Sequence, residues 1–374
     1  MNTPTSTVNK FQHMNKGSLK IFYTNADSLP NKFTELQAHV QTTTPHIVGV
    51  CEVKPKNSRY DLNEPEIELP GYNMYNSDLK KGRHRGCVLY ISNKLSATQV
   101  EENMQDQVWV EVKVSGNDIL LIGIVYRSPG ISNKDHQEVL NSVRNQCTKK
   151  SYSHILLMGD FNFPTINWKY WTTNSDDPEN QANKFIECIR DCFLHQHVTS
   201  PTRIRQNNQP NLLDLIFTNE ATMVENLRPL SPLGKSDHIM IEFDFRCYAE
   251  RIQKESVPRY NLDRGDYDGM RQELENGWDQ IEEIDTIDGK WEYMRNRIQL
   301  AAEKFIPKKR EGCGKRGGIP LSRELRKLIR KKNTSWQRYM ETKNTDDRDE
   351  GNNKFRQYRK IRNRVRKMTR KAED

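Results

Sequence analysis

Six groups of polar residues stand where apolar strand-like runs end or begin: Asn25 after Leu19 to Thr24, Glu52 after Ile47 to Cys51, Tyr126 and Arg127 after Asp118 to Val125, Asp160 and Asn162 after Ile155 to Met158, Asp214 inside Leu212 to Thr218, and Ser236, Asp237 and His238 before Ile239 to Phe245. A hydrophobic core has no use for them, and a single Asn or Asp after a strand is ordinarily a turn residue. Strand ends on one side of a sheet converge into one pocket, so their recurrence indicates a site.

The chemistry these residue types can perform together is metal-assisted hydrolysis of a phosphodiester. Glu52 is a hard carboxylate suited to Mg²⁺, which keeps several waters and takes one or two protein carboxylates. Asn25 can orient the water shell of the metal or a phosphate oxygen. Asp160 can align and activate the attacking water, and Asn162 can hold that water or the developing negative charge. His238 can donate to the scissile phosphate once Asp214 or Asp237 fixes its tautomer. Tyr126 and Arg127 can bind phosphate oxygens, and Ser236 is a further phosphate contact or a turn residue.

The elements that must position these groups follow from the apolar periods. Leu19 to Thr24, the helix Leu29 to Val40 and Ile47 to Cys51 give strand, helix and strand in quick succession. Gly86 to Ser92, Val108 to Val114 and Asp118 to Tyr126 are strands, with Val108, Val110, Val112 and Val114 alternating against polar or aromatic partners. Helices are predicted at Lys134 to Cys147 and Ala182 to Cys192. Mixed strands and helices over about 230 residues, without repeats, predict an α/β fold with a sheet-on-sheet core flanked by helices.

Composition sets the wider frame. The 374 residues, 34% hydrophobic, suffice for one sizeable domain plus an appendage. The most apolar run, Ile119 to Tyr126, has strand length, so no membrane span is expected. A secretory signal is absent from the polar start, and the seven cysteines contain no C-x-x-C pair, which points to an intracellular protein, nuclear or cytoplasmic, and not a secreted one. Net charge is +9, but residues 304–374 hold 25 Lys and Arg against 9 Asp and Glu, leaving residues 1–303 net acidic. That distribution suits carboxylates holding a cation in the body and phosphate contacts in the tail.

The ordered set Thr24-Asn25-Ala26-Asp27-Ser28-Leu29, Cys51-Glu52, Val125-Tyr126-Arg127, Gly159-Asp160-Phe161-Asn162, Leu213-Asp214-Leu215-Ile216-Phe217-Thr218-Asn219 and Ser236-Asp237-His238 resembles the motif series of the endonuclease/exonuclease/phosphatase superfamily. The resemblance implies a four-layer α/β sandwich of two packed mixed sheets flanked by helices. It also implies Glu52 as metal ligand with Asn25 beside it, Asp160 and Asn162 at the nucleophile, Tyr126 near the phosphate, Asp214 orienting His238, and Asp237 close to the metal. The cofactor implied is Mg²⁺, with Mn²⁺ as a substitute. Within the superfamily the wording is most similar to the endonuclease domain of non-LTR retrotransposons, through N-A-x-S-L, Y-R-S-P, G-D-F-N-F-P-x-I-x-W and L-D-L-I-F-T-N. Residues from about Tyr260, including Tyr267-Asp268-Gly269-Met270-Arg271, resemble the segment leading toward the reverse transcriptase. The implied activity is nicking of target DNA to leave a 3′-hydroxyl for target-primed reverse transcription. An inositol phosphate or phospholipid phosphatase, an abasic-site repair endonuclease and a catalytically dead nucleic-acid-binding remnant are the alternatives.

The expected organisation is a disordered start at 1–16, the hydrolase domain at 17–248, a helical linker at 249–311 and a basic helical hairpin at 312–374. In the linker Met270, Leu274, Trp278 and Ile281 share one helical face. The hairpin places Leu321, Leu325 and Leu328, then Phe355, Tyr358, Ile361, Val365 and Met368, on apolar faces opposite Arg and Lys; it is a solvated pair, a contact to element RNA or reverse transcriptase, or a docked element. Trp168, Tyr170 and Trp171 are expected to pack over the core rather than stack on bases, Cys188 and Cys192 to be core thiols, and Gly312 to Gly318 to be a flexible break.

Overall fold

The computed structural model describes residues 18–56, 61–77, 79, 84–100, 105–114, 118–149, 152–205, 208–247, 260–308, 322–343 and 348–373. The expected disordered start and the glycine-rich break lie outside them. Along the chain come β1 (Ser18–Asn25), α1 (Phe33–Thr43), β2 (Ile47–Cys51), β3 (Tyr72–Asn76), β4 (Cys87–Ser92), β5 (Ala97–Gln99), β6 (Gln107–Lys113), β7 (Ile119–Tyr126), α2 (Asn133–Thr148) and β8 (His154–Asp160). Then follow α3 (Gln181–Asp191), β9 (His195–Gln196), β10 (Asp214–Thr218), β11 (Val224–Leu230), β12 (Met240–Arg246), α4 (Tyr267–Glu275), α5 (Ile287–Phe305), α6 (Arg323–Lys343) and α7 (Arg348–Glu373). Among the described residues no helix is long and apolar enough to cross a membrane.

The strands form two six-stranded sheets, in the orders β11-β12-β1-β2-β4-β3 and β5-β6-β7-β8-β10-β9. In each, the central pair is parallel, β1 with β2 and β7 with β8, and the other pairs are antiparallel. The period of two explains the layers. Ile21 and Tyr23 of β1, Val108, Val110 and Val112 of β6, and Leu156 and Met158 of β8 meet between the sheets. The intervening Phe22 faces outward onto Leu36 and Val40 of α1, while Trp109, Ile155 and Leu157 face α2 and α3. This is the four-layer α/β sandwich.

The outer helices begin and end where local chemistry requires. Pro30 opens a short 3₁₀ turn that runs into α1, and Thr44 ends that helix at φ 49°. Ser132 caps α2 by accepting from Asp135 N at 3.1 Å, and Asn180 caps α3 by accepting from Ala182 N at 2.9 Å. Trp168 packs edge-on against Phe185 and Phe217, Trp171 lies against Trp168, and Cys188 and Cys192 are buried, whereas Tyr170 is exposed.

The α6–α7 hairpin, delimited in the sequence as a segment of its own, packs on the sandwich. Leu325, Leu328, Ile329 and Val365 close over Ala38 of α1, and Trp336, Tyr339 and Tyr358 join the central core. Lys332, fully buried, pairs with Glu35 of α1 and donates to Pro232 O at 2.9 Å. The opposite faces expose Arg326, Lys327, Arg330, Arg338, Arg359 and Lys360.

Residues 253–316 form a second compact unit. Its helical stretch is broken where a continuous one was expected: Gly277, at φ 85°, turns the chain between α4 and α5. Trp278 then lies under the Arg297 guanidinium, 5.3 Å away, instead of extending the face of Met270 and Leu274.

Candidate active site

The two parallel strand pairs end side by side, one in each sheet. In the first, Asn25 lies opposite Cys51, so the last residue of β1 adjoins Glu52. In the second, Asp160 lies opposite Tyr126 on one side and Asp214 on the other. Gly159 permits this register, since a Cβ there would meet Val125 O at 1.9 Å. Packing the sheets face to face brings both ends into one buried polar cluster.

Asn25 is the bridge between the sheets. Its Nδ2 donates to Glu52 Oε1 at 3.1 Å and to Asp160 Oδ2 at 2.8 Å, while its amide oxygen accepts from Asp27 N at 3.0 Å. Glu52 and Asn162 both sit at φ 52°, a left-handed backbone that non-glycine residues seldom adopt. Such strain persists only where the surroundings impose it, and backbone bonds from Ser28 N to Glu52 O (2.8 Å) and from Arg127 N to Asp160 O (2.8 Å) do so. Asn162 N donates to Asp160 Oδ1 at 3.2 Å, and its side-chain nitrogen donates to Arg127 O at 2.8 Å.

Facing this bridge is an Asp–His pair. His238 Nδ1 lies 2.6 Å from Asp214 Oδ2, and the other Asp214 oxygen accepts from the Tyr23 hydroxyl at 2.8 Å. Nε2 of the same imidazole points into the cluster, 3.9 Å from Asp160 Oδ2 and 3.8 Å from Asp237 Oδ1. Burial opposes a charge on His238, but Asp214, Asp160 and Asp237 outweigh it and raise its pKa to about 10. Asp160 is raised to about 7, by burial first and then by Asp214 and Glu52 against the pull of His238. Tyr126 is pushed upward by burial and by the charges of Glu52 and Asp160.

These residues fit a hard divalent cation. Donors are oxygens, and crowding of Glu52, Asp160 and Asp214 raises the proton affinity of Asp160, a repulsion that a cation relieves. Asp160, Asp214 and His238 also put ligand-type atoms within 4.8 Å of one another. Two of those atoms, His238 Nδ1 and Asp214 Oδ2, are already paired with each other.

Arg127, Ser236 and Asp237 are each held by partners within the chain. Arg127, 5% exposed, lies 4.0 Å over the Phe163 ring and donates to Gln181, His136 and the carbonyls of Phe161 and Asn162. Its guanidinium ties the β7 and β8 loops together. Ser236 donates to Asn25 O at 2.9 Å and accepts from His238 N at 3.2 Å, which fixes the turn that presents His238. Asp237 is clamped by Arg203 Nε at 2.8 Å and Arg205 Nε at 2.6 Å, and is lowered to about 2: burial works against this, and the arginine hydrogen bonds and His238 prevail.

Arg85, Arg203, Arg205 and Tyr23 are members of the cluster that the sequence reading passed over. Arg85 precedes β4, which runs antiparallel to β2, so Cys87 lies opposite Cys51 and Arg85 reaches Glu52. The only signal for it was a cation just before a buried strand.

Residues 120–242 match the family model described as endonuclease-reverse transcriptase. That span carries Tyr126, Asp160, Asp214 and His238, whereas Asn25 and Glu52 precede it. Solved structures similar to this chain include the endonuclease domain of TRAS1, a telomere-specific non-LTR retrotransposon, at 16% identity and TM-score 0.47, covering 62% of this chain and 99% of that one. An AP endonuclease from Leishmania major has 13% identity and TM-score 0.49, over 61% of this chain and 88% of its own. The catalytic domain of Xenopus laevis APE2 has 12% identity and TM-score 0.47, over 63% and 94%. No curated protein matches the chain.

Proposed function

We propose that this chain is a Mg²⁺-dependent phosphodiesterase that nicks one strand of target DNA and leaves a 3′-hydroxyl from which a reverse transcriptase can begin synthesis. The carrying observation is the Glu52–Asn25–Asp160 bridge set against the Asp214–His238 pair. Glu52 would hold the metal, with Asp237 and the Asn25 amide beside it, and Mn²⁺ would serve in place of Mg²⁺. A metal there supplies charge neutralisation and polarisation of the phosphate.

Asp160 accepts the proton of the attacking water, its carboxylate held in place by the Asn25 amide and the Asn162 N–H. The Asn162 amide oxygen orients that water, held in place by the bond from its side-chain nitrogen to Arg127 O. His238 donates from Nε2 to a phosphate oxygen while Asp214 fixes the ring, and its positive charge offsets the negative charge that builds on the phosphate. The Tyr126 hydroxyl donates to a second phosphate oxygen. Binding of duplex DNA draws on the exposed Arg and Lys faces of α6 and α7, which also suit element RNA or a reverse transcriptase as partner in a nuclear or cytoplasmic setting.

Nicking of supercoiled plasmid by the full chain tests this reading. Conversion to open circles should require Mg²⁺ or Mn²⁺ and stop with EDTA. It should fall by roughly two to four orders of magnitude in Asp160→Ala, Glu52→Ala and His238→Ala. Cutting of abasic duplex alone, or release of phosphate from inositol phosphates without nicking, would overturn the DNA-nicking assignment within the same fold.

A further inference from the structure

Arg85 has no part in the hydrolytic roles above, yet it is anchored within the cluster. Its carbonyl accepts from Lys54 N at 2.7 Å, its Nε donates to Lys54 O at 2.9 Å, and the next residue, Gly86 at φ 73°, donates its N–H to Asp106 Oδ1 at 2.7 Å. So tethered, the guanidinium places Nη2 2.5 Å from Glu52 Oε2 and 2.8 Å from Asp27 Oδ1, with its side chain only 13% exposed. Lys32 donates to the Ala26 and Asp27 carbonyls next to it.

The two oxygens of Glu52 are thereby divided. Oε1 faces the Asn25 amide and, beyond it, Asp160, whereas Oε2 belongs to Arg85. Two-metal hydrolases hold their ions about 3.5–4 Å apart on carboxylates that both ions share. Glu52 and Asp27, without Arg85, would form the outer half of such a site. An arginine there is a permanent cation, because it is not deprotonated in proteins, and its planar fork matches two carboxylate oxygens.

We propose that Arg85 takes the place of a second metal ion: by holding Glu52 Oε2 and Asp27 it limits the pocket to one divalent cation on the Oε1 side of Glu52. This rests on the metal-dependent reading given above. Arg85 acts through Glu52 and is a positioning residue. It also sets the metal stoichiometry.

Titration of the full chain with Mn²⁺ in the absence of DNA, following the free-ion EPR signal, tests this without reference to activity. The wild type should bind one equivalent, abolished by Glu52→Ala. Arg85→Gln should bind a second equivalent, or the first at least tenfold more tightly; Arg85→Lys should keep one; and Arg85→Gln combined with Asp27→Asn should return to one. Circular dichroism checks that each variant is folded. Two equivalents bound by the wild type would overturn the proposal without any variant. Arg85→Gln matching the wild type in number and affinity, while Glu52→Ala still loses the ion, would overturn the role of Arg85 and leave the metal-dependent hydrolase standing. A folded wild type that binds no Mn²⁺ would overturn both.

Discussion

Replacing Lys332 with methionine should loosen the basic hairpin from the sandwich, and the size of the effect should depend on pH. Lys332 and Glu35 are 1% and 5% exposed and pair directly, with Pro232 O as a second acceptor. Removing one member of a buried pair typically costs about 3–5 kcal/mol because it strands the other charge. Adding about 1 kcal/mol for the bond to Pro232 O gives a penalty of about 4–6 kcal/mol. Loss of Lys332 also relieves His39, whose pKa burial and then Lys332 depress, so the variant loses less stability in acid than the wild type and the penalty shrinks from pH 7 to pH 5. Native-state hydrogen exchange of the α6 and α7 amides, together with urea unfolding, measures local and global opening separately. Glu35→Met with Lys332→Met should recover most of the loss, since a buried ion pair replaced as a unit is close to neutral. An equal penalty at pH 5 and pH 7, or a double variant no better than the single, would refute the account.

Gly159→Ala forces a Cβ to within 1.9 Å of Val125 O in a central strand pair, so it should destabilise the sandwich by about 4 kcal/mol or more, read as a large fall in melting temperature; a variant that melts like wild type would contradict the register. His39, buried beneath Phe22, is depressed to about 3 by burial and by Lys332 and Lys20, so it is neutral in the fold and protonates on unfolding below its ordinary pKa of about 6.5. Its contribution is present above about pH 6.5 and lost at up to about 1.4 kcal/mol per pH unit as pH falls toward 3, so His39→Phe should flatten the acid limb of a stability–pH curve measured by urea unfolding.

The β1–β2 and β7–β8 units were legible because their apolar runs stop abruptly at a polar residue with a chemical reason to be there. Ile47 to Cys51 followed by Glu52 is the plainest case, and the strand matches residue for residue. β11 was not legible: Val224–Leu230 is mostly exposed, carries Pro229 and pairs with β12 on one side only, so it lacks both a buried period and a continuous ladder. Residues that reach the site against strand direction were hidden for a similar reason. Arg85 lies 33 positions from Glu52 in sequence and reaches it only because β4 runs back along β2. Arg203 and Arg205 sit in irregular chain after β9, where no periodicity marks a functional position. Hairpin docking was one of several open readings, because an apolar face at helical spacing does not say what it will cover, and Lys332 reads in sequence as one more cation of the basic tail.

Arginine placement within the cluster follows from the electrostatics of folding the site at all. Glu52, Asp160, Asp214 and Asp237 must come together when the sheets close, and unpaired they would repel in a medium far less polarisable than water. Each is met by a donor or cation supplied by the chain: Arg85 for Glu52, Arg203 and Arg205 for Asp237, Tyr23 and His238 for Asp214, and the Asn25 amide for Asp160. Four of these partners, Arg85, Arg203, Arg205 and Tyr23, lie outside the recognisable motifs. The charge balance that lets the motif residues assemble is therefore distributed over positions whose importance depends on the fold. Asp160 is held by two neutral donors, the Asn25 amide and the Asn162 backbone N–H, with His238 Nε2 at 3.9 Å, and burial and Asp214 push its pKa upward.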